Sequence, residues 1–155
     1  MTSRPIPKGS YARERPSALL GADSAGTVDS MTTPLVLLVD DNEGNRDLME
    51  LHLEGLPVRC MTASDGHGAL ESIARSRPDL ILLDVMMPKM SGFEVCRAIK
   101  SDESLREIPV VMVTALDSVV DQDRAKSEGA DGYMVKPIDR DGLRDEVCLR
   151  LKLDN

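Results

Sequence analysis

The sequence has very few aromatic residues and no excess of positive charge. Its 155 residues include no tryptophan; the aromatic side chains are Tyr11, Phe93 and Tyr133, and the net charge is −8. Nucleic-acid binding usually requires basic side chains that neutralise phosphates and aromatic rings on which bases stack. The composition therefore disfavours direct binding of DNA or RNA.

Cysteine is also scarce, and long hydrophobic runs are absent. Cys60, Cys96 and Cys148 are odd in number and far apart, so they indicate neither a disulfide framework nor a zinc site. No apolar run reaches the length of a membrane-spanning helix or of a signal-peptide core. These absences favour a cytoplasmic protein that does not bind membranes. We expect its cysteines to be small core residues in a reducing compartment.

The first 33 residues differ in composition from the rest of the chain. Residues 1–33 are rich in proline, glycine and serine, which is typical of a disordered N-terminal tail. Met31 offers an alternative start of translation, and the sequence leaves both interpretations open. With 41% hydrophobic residues, the chain can form one domain around a single core, which we predict at residues 34–153.

The stretch PDLILLDVMMPKMSGFE, residues 78–94, joins a buried strand to an acidic side chain. Residues 80–83 form a continuous apolar run, which is typical of a strand buried on both faces of a sheet. Asp84 follows at the carboxyl end of this strand, where open α/β sheets have their ligand crevice. Ser91 and Glu94 then have the spacing of a capping box and predict the start of a helix.

Short apolar runs and helix signals alternate along the whole region. The predicted strands cover residues 35–39, 58–63, 80–83, 110–114 and 132–135, and the predicted helices begin after the capping residues Asn42, Asp65, Ser91, Ser118 and Asp139. Five strands that alternate with five helices predict an α/β fold, a doubly wound five-stranded parallel sheet with helices on both faces. The common strand order for such a sheet is 2-1-3-4-5.

That strand order brings polar strand ends into one crevice. The first strand ends at Asp40 and Asp41, the third at Asp84, the fourth at Thr114, and Lys136 follows the fifth. Three neighbouring carboxylates repel one another unless a cation is present, and oxygen ligands without histidine or cysteine suit Mg²⁺ or Mn²⁺. An aspartate beside such an ion can attack a phosphorus centre, while the lysine and the threonine contact the phosphoryl oxygens.

These motifs resemble the receiver domains of two-component response regulators. The resemblance covers roughly residues 35–151 and is carried by VDDN, LLDVMMPKMSGFEV, the Thr-Ala step at 114–115 and GADGYMVKP. It implies a flavodoxin-like, CheY-like (βα)5 fold and a single-domain response regulator of a phosphorelay. By the same resemblance Asp84 is the phosphoacceptor and Asp40 and Asp41 form the acidic pair that holds Mg²⁺. The direct ligands would be Asp41, Asp84 and the backbone carbonyl of Met86.

The resemblance also implies a switch and two kinds of partner. Thr114 and Lys136 would contact the phosphoryl group, and Tyr133 would be the aromatic residue that moves inward when Thr114 is drawn to the phosphate. The phosphoryl donor would be a histidine on a sensor kinase or a histidine phosphotransfer protein. The downstream target would be a protein that binds the face made by the fourth helix, fifth strand and fifth helix. No enzymatic activity is expected beyond self-phosphorylation and slow autodephosphorylation.

Two positions bear on the lifetime of a phosphorylated state, and two other functions stay open. Met86 and Leu116 lie two residues after Asp84 and Thr114, at positions that influence hydrolysis in this family, and both are apolar. A long-lived aspartyl phosphate is therefore expected.

The open alternatives are a small-molecule phosphatase with Asp84 as nucleophile and a receiver-like binding module that is not phosphorylated. The lack of a second acid at Met86 argues against the first, and the complete acidic set with its lysine argues against the second.

Overall fold

Five parallel strands, each followed by a helix, form the part of the chain that the computed structural model describes, residues 33–154. The predicted tail over residues 1–33 and the alternative start at Met31 thus lie, apart from Thr33, outside the described residues. The strands are β1 Leu35–Val39, β2 Arg59–Ala63, β3 Leu80–Leu83, β4 Val110–Thr114 and β5 Gly132–Val135. The helices are α1 Glu43–Leu53, α2 Gly66–Arg75, α3 Gly92–Lys100, α4 Val119–Ser127 and α5 Arg140–Leu151.

The sheet has the order β2-β1-β3-β4-β5, which confirms the predicted topology. The three inner strands β1, β3 and β4 are buried along their whole length, which explains why they are continuous apolar runs rather than alternating ones. Successive side chains of these strands point to opposite faces and build two hydrophobic clusters. One cluster packs against α2, α3 and α4, and the other packs against α1 and α5.

The helices begin where the capping residues predict. Asn42, Asp65, Ser91, Ser118 and Asp139 each accept a hydrogen bond from the backbone amide three residues further on. At Ser91 both halves of the capping box are formed, because the Glu94 carboxylate accepts from the Ser91 amide. These side chains satisfy amide groups that have no partner inside the helix.

Strand β2 begins one residue later than predicted. The sequence placed its start at residue 58, but the Val58 amide donates to the Leu56 carbonyl at 2.7 Å and so belongs to the preceding turn. Arg59 is the first residue in the ladder, since its amide donates to the Pro34 carbonyl at 2.8 Å. Val58 therefore has strand propensity but no strand partner.

The three cysteines and the helix lengths agree with what the sequence predicts. Cys60 lies half-buried in β2, while Cys96 in α3 and Cys148 in α5 are buried, and all three are free thiols. Within residues 33–154 no helix combines the length and the apolar character that crossing a membrane would need.

Helix α1, which follows the first acidic strand end, is held in place by α5. The Arg144 guanidinium on α5 donates from Nη1 to the carbonyls of His52 and Glu54, at 3.0 and 2.7 Å. These carbonyls lie at the C-terminal end of α1, where helical backbone groups lack partners. The contact anchors the helix whose other end faces the crevice.

Candidate functional site

The crevice lies at the carboxyl ends of β1 and β3, which are neighbours in the sheet. Val39 is paired with Leu83, and the Asp84 amide donates to the Val39 carbonyl at 3.0 Å. The residues that follow the two strands therefore share one edge of the sheet. One carboxylate oxygen from each of Asp40, Asp41 and Asp84 lies within 4.8 Å of the other two.

Lys136 lies between two of these carboxylates. Its Nζ is 2.6 Å from Asp40 Oδ2 and 3.1 Å from Asp84 Oδ2, and its backbone amide donates to the Thr114 carbonyl at 2.8 Å. Burial works against the charge on this side chain, but the hydrogen bonds to Asp40 and Asp84 and their negative charges outweigh it and raise the pKa of Lys136 above 10.5. The ammonium therefore keeps its proton at neutral pH and neutralises part of the acidic cluster.

Asp40 and Asp41 are adjacent in sequence but differ in environment. Asp40 is fully buried, and its Oδ1 accepts from the Asn42 amide at 2.9 Å and from Asn45 Nδ2 at 3.4 Å. Asp41 is exposed at the mouth of the crevice. With Lys136 on its other oxygen, Asp40 is held rigidly, whereas Asp41 remains accessible from solvent.

The donor chemistry of this cluster fits a hard divalent cation. The three side chains brought together are all carboxylates, which suit Mg²⁺ rather than a metal that prefers nitrogen or sulfur. Asp84 is buried and Asp41 is exposed, so the cluster extends from the interior of the crevice to the solvent. This is the acidic cluster that the sequence predicted.

The loop after β3 orients Asp84. Its Oδ1 accepts from the Met86 amide at 3.1 Å, and the Gly92 amide closes the loop by donating to the Val85 carbonyl at 2.9 Å. The Met86 side chain is 55% exposed and lies at the surface beside the crevice. Gly92 packs so close to the loop that a Cβ atom there would overlap the Asp84 carbonyl oxygen. The loop thus has little freedom at the position that carries the candidate nucleophile.

Thr114 and Tyr133 both contact Leu116 in the loop between β4 and α4. Thr114 is fully buried, and its Oγ1 accepts from the Leu116 amide at 3.4 Å. The Tyr133 hydroxyl donates to the Leu116 carbonyl at 2.8 Å. The Tyr133 ring packs against the hydrophobic cluster that contacts α2, α3 and α4. Burial raises the pKa of Tyr133, with the charges of nearby aspartates adding to the effect. The structure thus links Thr114, the predicted phosphoryl contact, to Tyr133, the predicted switch residue, through Leu116.

Two side-chain contacts to Asp40 were not predicted from the sequence. Arg46 on α1 donates from Nη1 to the Asp40 backbone carbonyl at 2.7 Å. Asn45, the preceding residue, contacts the Asp40 carboxylate. The sequence places both residues near the start of the helix that follows the crevice. It contains no signal that their side chains turn back toward Asp40.

Comparison with known proteins identifies the family to which these residues belong. The family model described as the response regulator receiver domain matches residues 36–148. This chain belongs to that family. The motifs therefore predicted the family correctly, and the receiver is similar to curated response regulators.

Response regulator PleD of Caulobacter vibrioides is 49% identical over 104 residues, which cover 67% of this chain and 23% of PleD. Protein PilG of Pseudomonas aeruginosa is 32% identical over 108 residues, which cover 70% of this chain and 80% of PilG.

Solved structures confirm the CheY-like form of the fold. The signal receiver domain of a putative Luxo repressor protein from Vibrio parahaemolyticus is 34% identical with a TM-score of 0.72, and the match covers 77% of this chain and 90% of that domain. The chemotaxis protein CheY4 of Vibrio cholerae is 32% identical with a TM-score of 0.71, covering 75% of this chain and 97% of CheY4. The flavodoxin-like fold predicted from the sequence is thus confirmed.

Several relatives are named as transcriptional regulators. The DNA-binding dual master transcriptional regulator RpaA of Synechocystis is 39% identical over 106 residues, which cover 68% of this receiver and 44% of RpaA. The chain thus spans less than half the length of RpaA and about a quarter of PleD. The expectation that this receiver does not itself bind nucleic acid stays a prediction, as do the individual roles of its site residues.

Proposed function

We propose that this receiver is a phosphoacceptor of a two-component phosphorelay and that Asp84 accepts the phosphoryl group. The observation that carries the proposal is the Lys136 ammonium, which contacts Asp40 and Asp84 within a cluster that also contains Asp41. This arrangement supplies a carboxylate nucleophile, a fixed positive charge and oxygen ligands for a cation. Phosphoryl transfer depends mainly on such positioning and charge neutralisation.

In the proposed step, an oxygen of Asp84 attacks the phosphorus of a phosphohistidine on a sensor kinase or a histidine phosphotransfer protein. The new P–O bond forms as the P–N bond breaks, and the imidazole leaves and takes a proton from solvent. Lys136 binds one phosphoryl oxygen and the Thr114 hydroxyl donates to another. Asp41, Asp84 and the Met86 carbonyl would hold Mg²⁺, with Asp40 alongside, and the ion would supply the remaining positive charge.

The contacts of Leu116 support a route from the site to the surface. If Thr114 turns toward the phosphoryl group, it gives up its contact with the Leu116 amide, and the loop that also holds the Tyr133 hydroxyl is released. Tyr133 can then move inward and change the face formed by α4, β5 and α5. We propose that this face binds the downstream protein; Val119 and Val120 on α4 are highly exposed there.

The phosphorylated state is expected to be long-lived. Met86 and Leu116 carry apolar side chains, so neither can orient a water molecule for attack on the aspartyl phosphate. Autodephosphorylation is therefore slow, and the phosphatase activity is limited to the receiver's own phosphate. Loss of ³²P from purified phosphorylated chain should take many minutes, and a half-life of seconds would contradict this expectation.

Intact-mass measurement after incubation with acetyl phosphate tests the proposal. The full chain should gain one phosphoryl group when Mg²⁺ is present and none when EDTA replaces it. Asp84→Asn should gain none, whereas Asp123→Asn, a matched change on the exposed surface of α4, should behave like the wild type.

Two other results would favour the alternatives. If no variant gains mass under any condition, the receiver is a binding module that is not phosphorylated. If inorganic phosphate accumulates steadily while the protein mass stays unchanged, the small-molecule phosphatase becomes the better interpretation.

A further inference from the structure

The carbonyl group of Asp40 lies where the β-sheet ladder ends and helix α1 has not yet begun. The Asp40 amide still donates to the Ala63 carbonyl of β2 at 3.2 Å. Asp40 itself is fully buried, and a buried carbonyl needs a donor. The donor is Arg46 Nη1 at 2.7 Å, from a side chain six residues further along the chain, at the fourth position of α1.

We infer that Arg46 is a positioning residue that sets the acidic pair for cation binding. This inference rests on the proposed function, in which Asp41 and Asp84 hold the cation. Asp40 and Asp41 occupy the turn between β1 and α1, and their side-chain directions depend on how the peptide groups of that turn are oriented. By fixing the Asp40 carbonyl, the guanidinium fixes the peptide bond that joins Asp40 to Asp41.

The remaining contacts of the turn support this role. The Asp40 carboxylate is held by the Asn42 amide, Asn45 and Lys136, all of which require one orientation of the Asp40 residue. Asp41 is exposed, so its direction depends on the backbone. The Arg46 guanidinium holds this backbone through its hydrogen bond to the Asp40 carbonyl. Groups that orient the ligands of a metal commonly change metal affinity by about 10-fold or more when they are removed.

The Mg²⁺ affinity of a chain without Arg46 distinguishes a positioning role from a simple effect of charge. Arg46 is a cation near three carboxylates, so its removal would strengthen Mg²⁺ binding if it acted only through space. A positioning role predicts weaker binding. Isothermal titration of the full chain with Mg²⁺, without any phosphodonor, separates the two effects.

The expected result is that Arg46→Met binds Mg²⁺ about 10-fold more weakly than the wild type. The variant should stay folded, with a lower midpoint of urea unfolding because the buried Asp40 carbonyl loses its donor. Methionine keeps the apolar stem and a high helix propensity, so the fold should tolerate it. Arg46→Lys should retain most of the affinity, since an ammonium can still donate one hydrogen bond to the Asp40 carbonyl. Arg140→Met, at an exposed site on α5, is the matched control and should bind like the wild type. Phosphorylation of Arg46→Met by acetyl phosphate should slow at low Mg²⁺ and recover at saturating Mg²⁺.

Equal or tighter Mg²⁺ binding by Arg46→Met would overturn the inference while leaving the proposed function intact. A lysine variant as weak as the methionine variant would overturn it as well, because the donated hydrogen bond would then not matter. If Arg46→Met does not fold, Arg46→Gln, which is neutral and shorter, takes its place with the same expected loss. A wild-type chain that binds no Mg²⁺ would overturn both the proposed function and this inference.

Discussion

Gly92 packs directly against the backbone of Asp84 and Val85 and leaves no room there for a side chain. An added methyl group there would overlap the Asp84 carbonyl and approach Val85 Cα to 2.8 Å, and both are backbone atoms that cannot move aside alone. We therefore expect Gly92→Ala to lower the free energy of unfolding by about 1–3 kcal/mol and to abolish phosphorylation by acetyl phosphate. Urea unfolding and intact mass would measure the two effects.

Gly44→Ala is the matched control for this substitution. Its methyl group would meet the capping oxygen of the Asn42 side chain at 3.1 Å, so that side chain must give way by a few tenths of an ångström. The higher helix propensity of alanine offsets this cost, so we expect little change in stability or in phosphorylation. Normal phosphorylation of Gly92→Ala would show that the loop tolerates a side chain and that the close packing does not matter for the site.

Lys136 neutralises the acidic cluster, and Mg²⁺ should partly replace it in that role. Lys136→Met leaves the carboxylates of Asp40 and Asp84 side by side without a cation, so we expect a lower urea midpoint in EDTA. Added Mg²⁺ should reduce this deficit, although phosphorylation should stay impaired because one phosphoryl contact is lost. Lys126→Met, on the exposed side of α4, is the control. A deficit of the same size with and without Mg²⁺ would argue against the neutralising role.

The raised pKa of Lys136 sets the pH range of this stabilisation. A lysine whose pKa is higher in the folded state stabilises the protein fully below its ordinary pKa of 10.5, and the contribution is lost as pH rises through the raised value. The difference in urea midpoint between wild type and Lys136→Met in EDTA should thus stay constant from neutral pH to 10.5 and shrink only above it. A difference that shrinks already near neutral pH would contradict the raised pKa.

Helix α4 is less firmly packed than its neighbour α3, although each has nine residues. The buried residue of α4 is Ala125, whereas α3 buries five residues, namely Gly92, Phe93, Val95, Cys96 and Ile99. The contacts of α4 with α3 lie near the C-terminal end of α4. Arg124 lies 4.3 Å from the centre of the Phe93 ring, and Glu128, which follows α4, accepts from Arg97 at 2.6 Å. A helix with little buried apolar surface opens at low cost.

We expect backbone amides of α4 to exchange with deuterium faster than those of α3. Hydrogen exchange followed by mass spectrometry would compare the two helices within one sample, so α3 is the internal control. Equal protection of both helices would mean that α4 is as rigid as the core and would weaken its proposed part in the switch.

At the scale of the whole molecule, net charge governs which partners can approach. A chain with net charge −8 repels the phosphate backbone, and we expect no binding to duplex DNA at physiological salt. Fluorescence anisotropy of a labelled duplex would test this for both the unphosphorylated and the phosphorylated chain. Binding that weakens steeply as salt increases would contradict the expectation and would point to a local basic surface.

The elements of the fold could be predicted because their signals are local. Strands buried on both faces must be apolar throughout, as at residues 80–83, and helix starts need a side-chain acceptor, as at Ser91. Both requirements act within a few residues of sequence. The start of β2 was misplaced for the same reason, since Val58 has the right side chain but its amide is used by a turn that depends on Leu56.

The acidic residues of the site could also be predicted, because parallel strands bring their carboxyl ends to one edge. The order of the elements and the set of polar residues in the crevice thus follow from sequence patterns alone. The contacts among these residues emerge only in the folded chain: Lys136 reaches Asp40 across 96 positions of sequence, Arg46 turns back to the Asp40 carbonyl, and Gly92 abuts the Asp84 carbonyl. The first contact depends on packing between elements that are distant in sequence, and the other two depend on the backbone path of the loops after β1 and β3. No sequence pattern encodes the resulting distances.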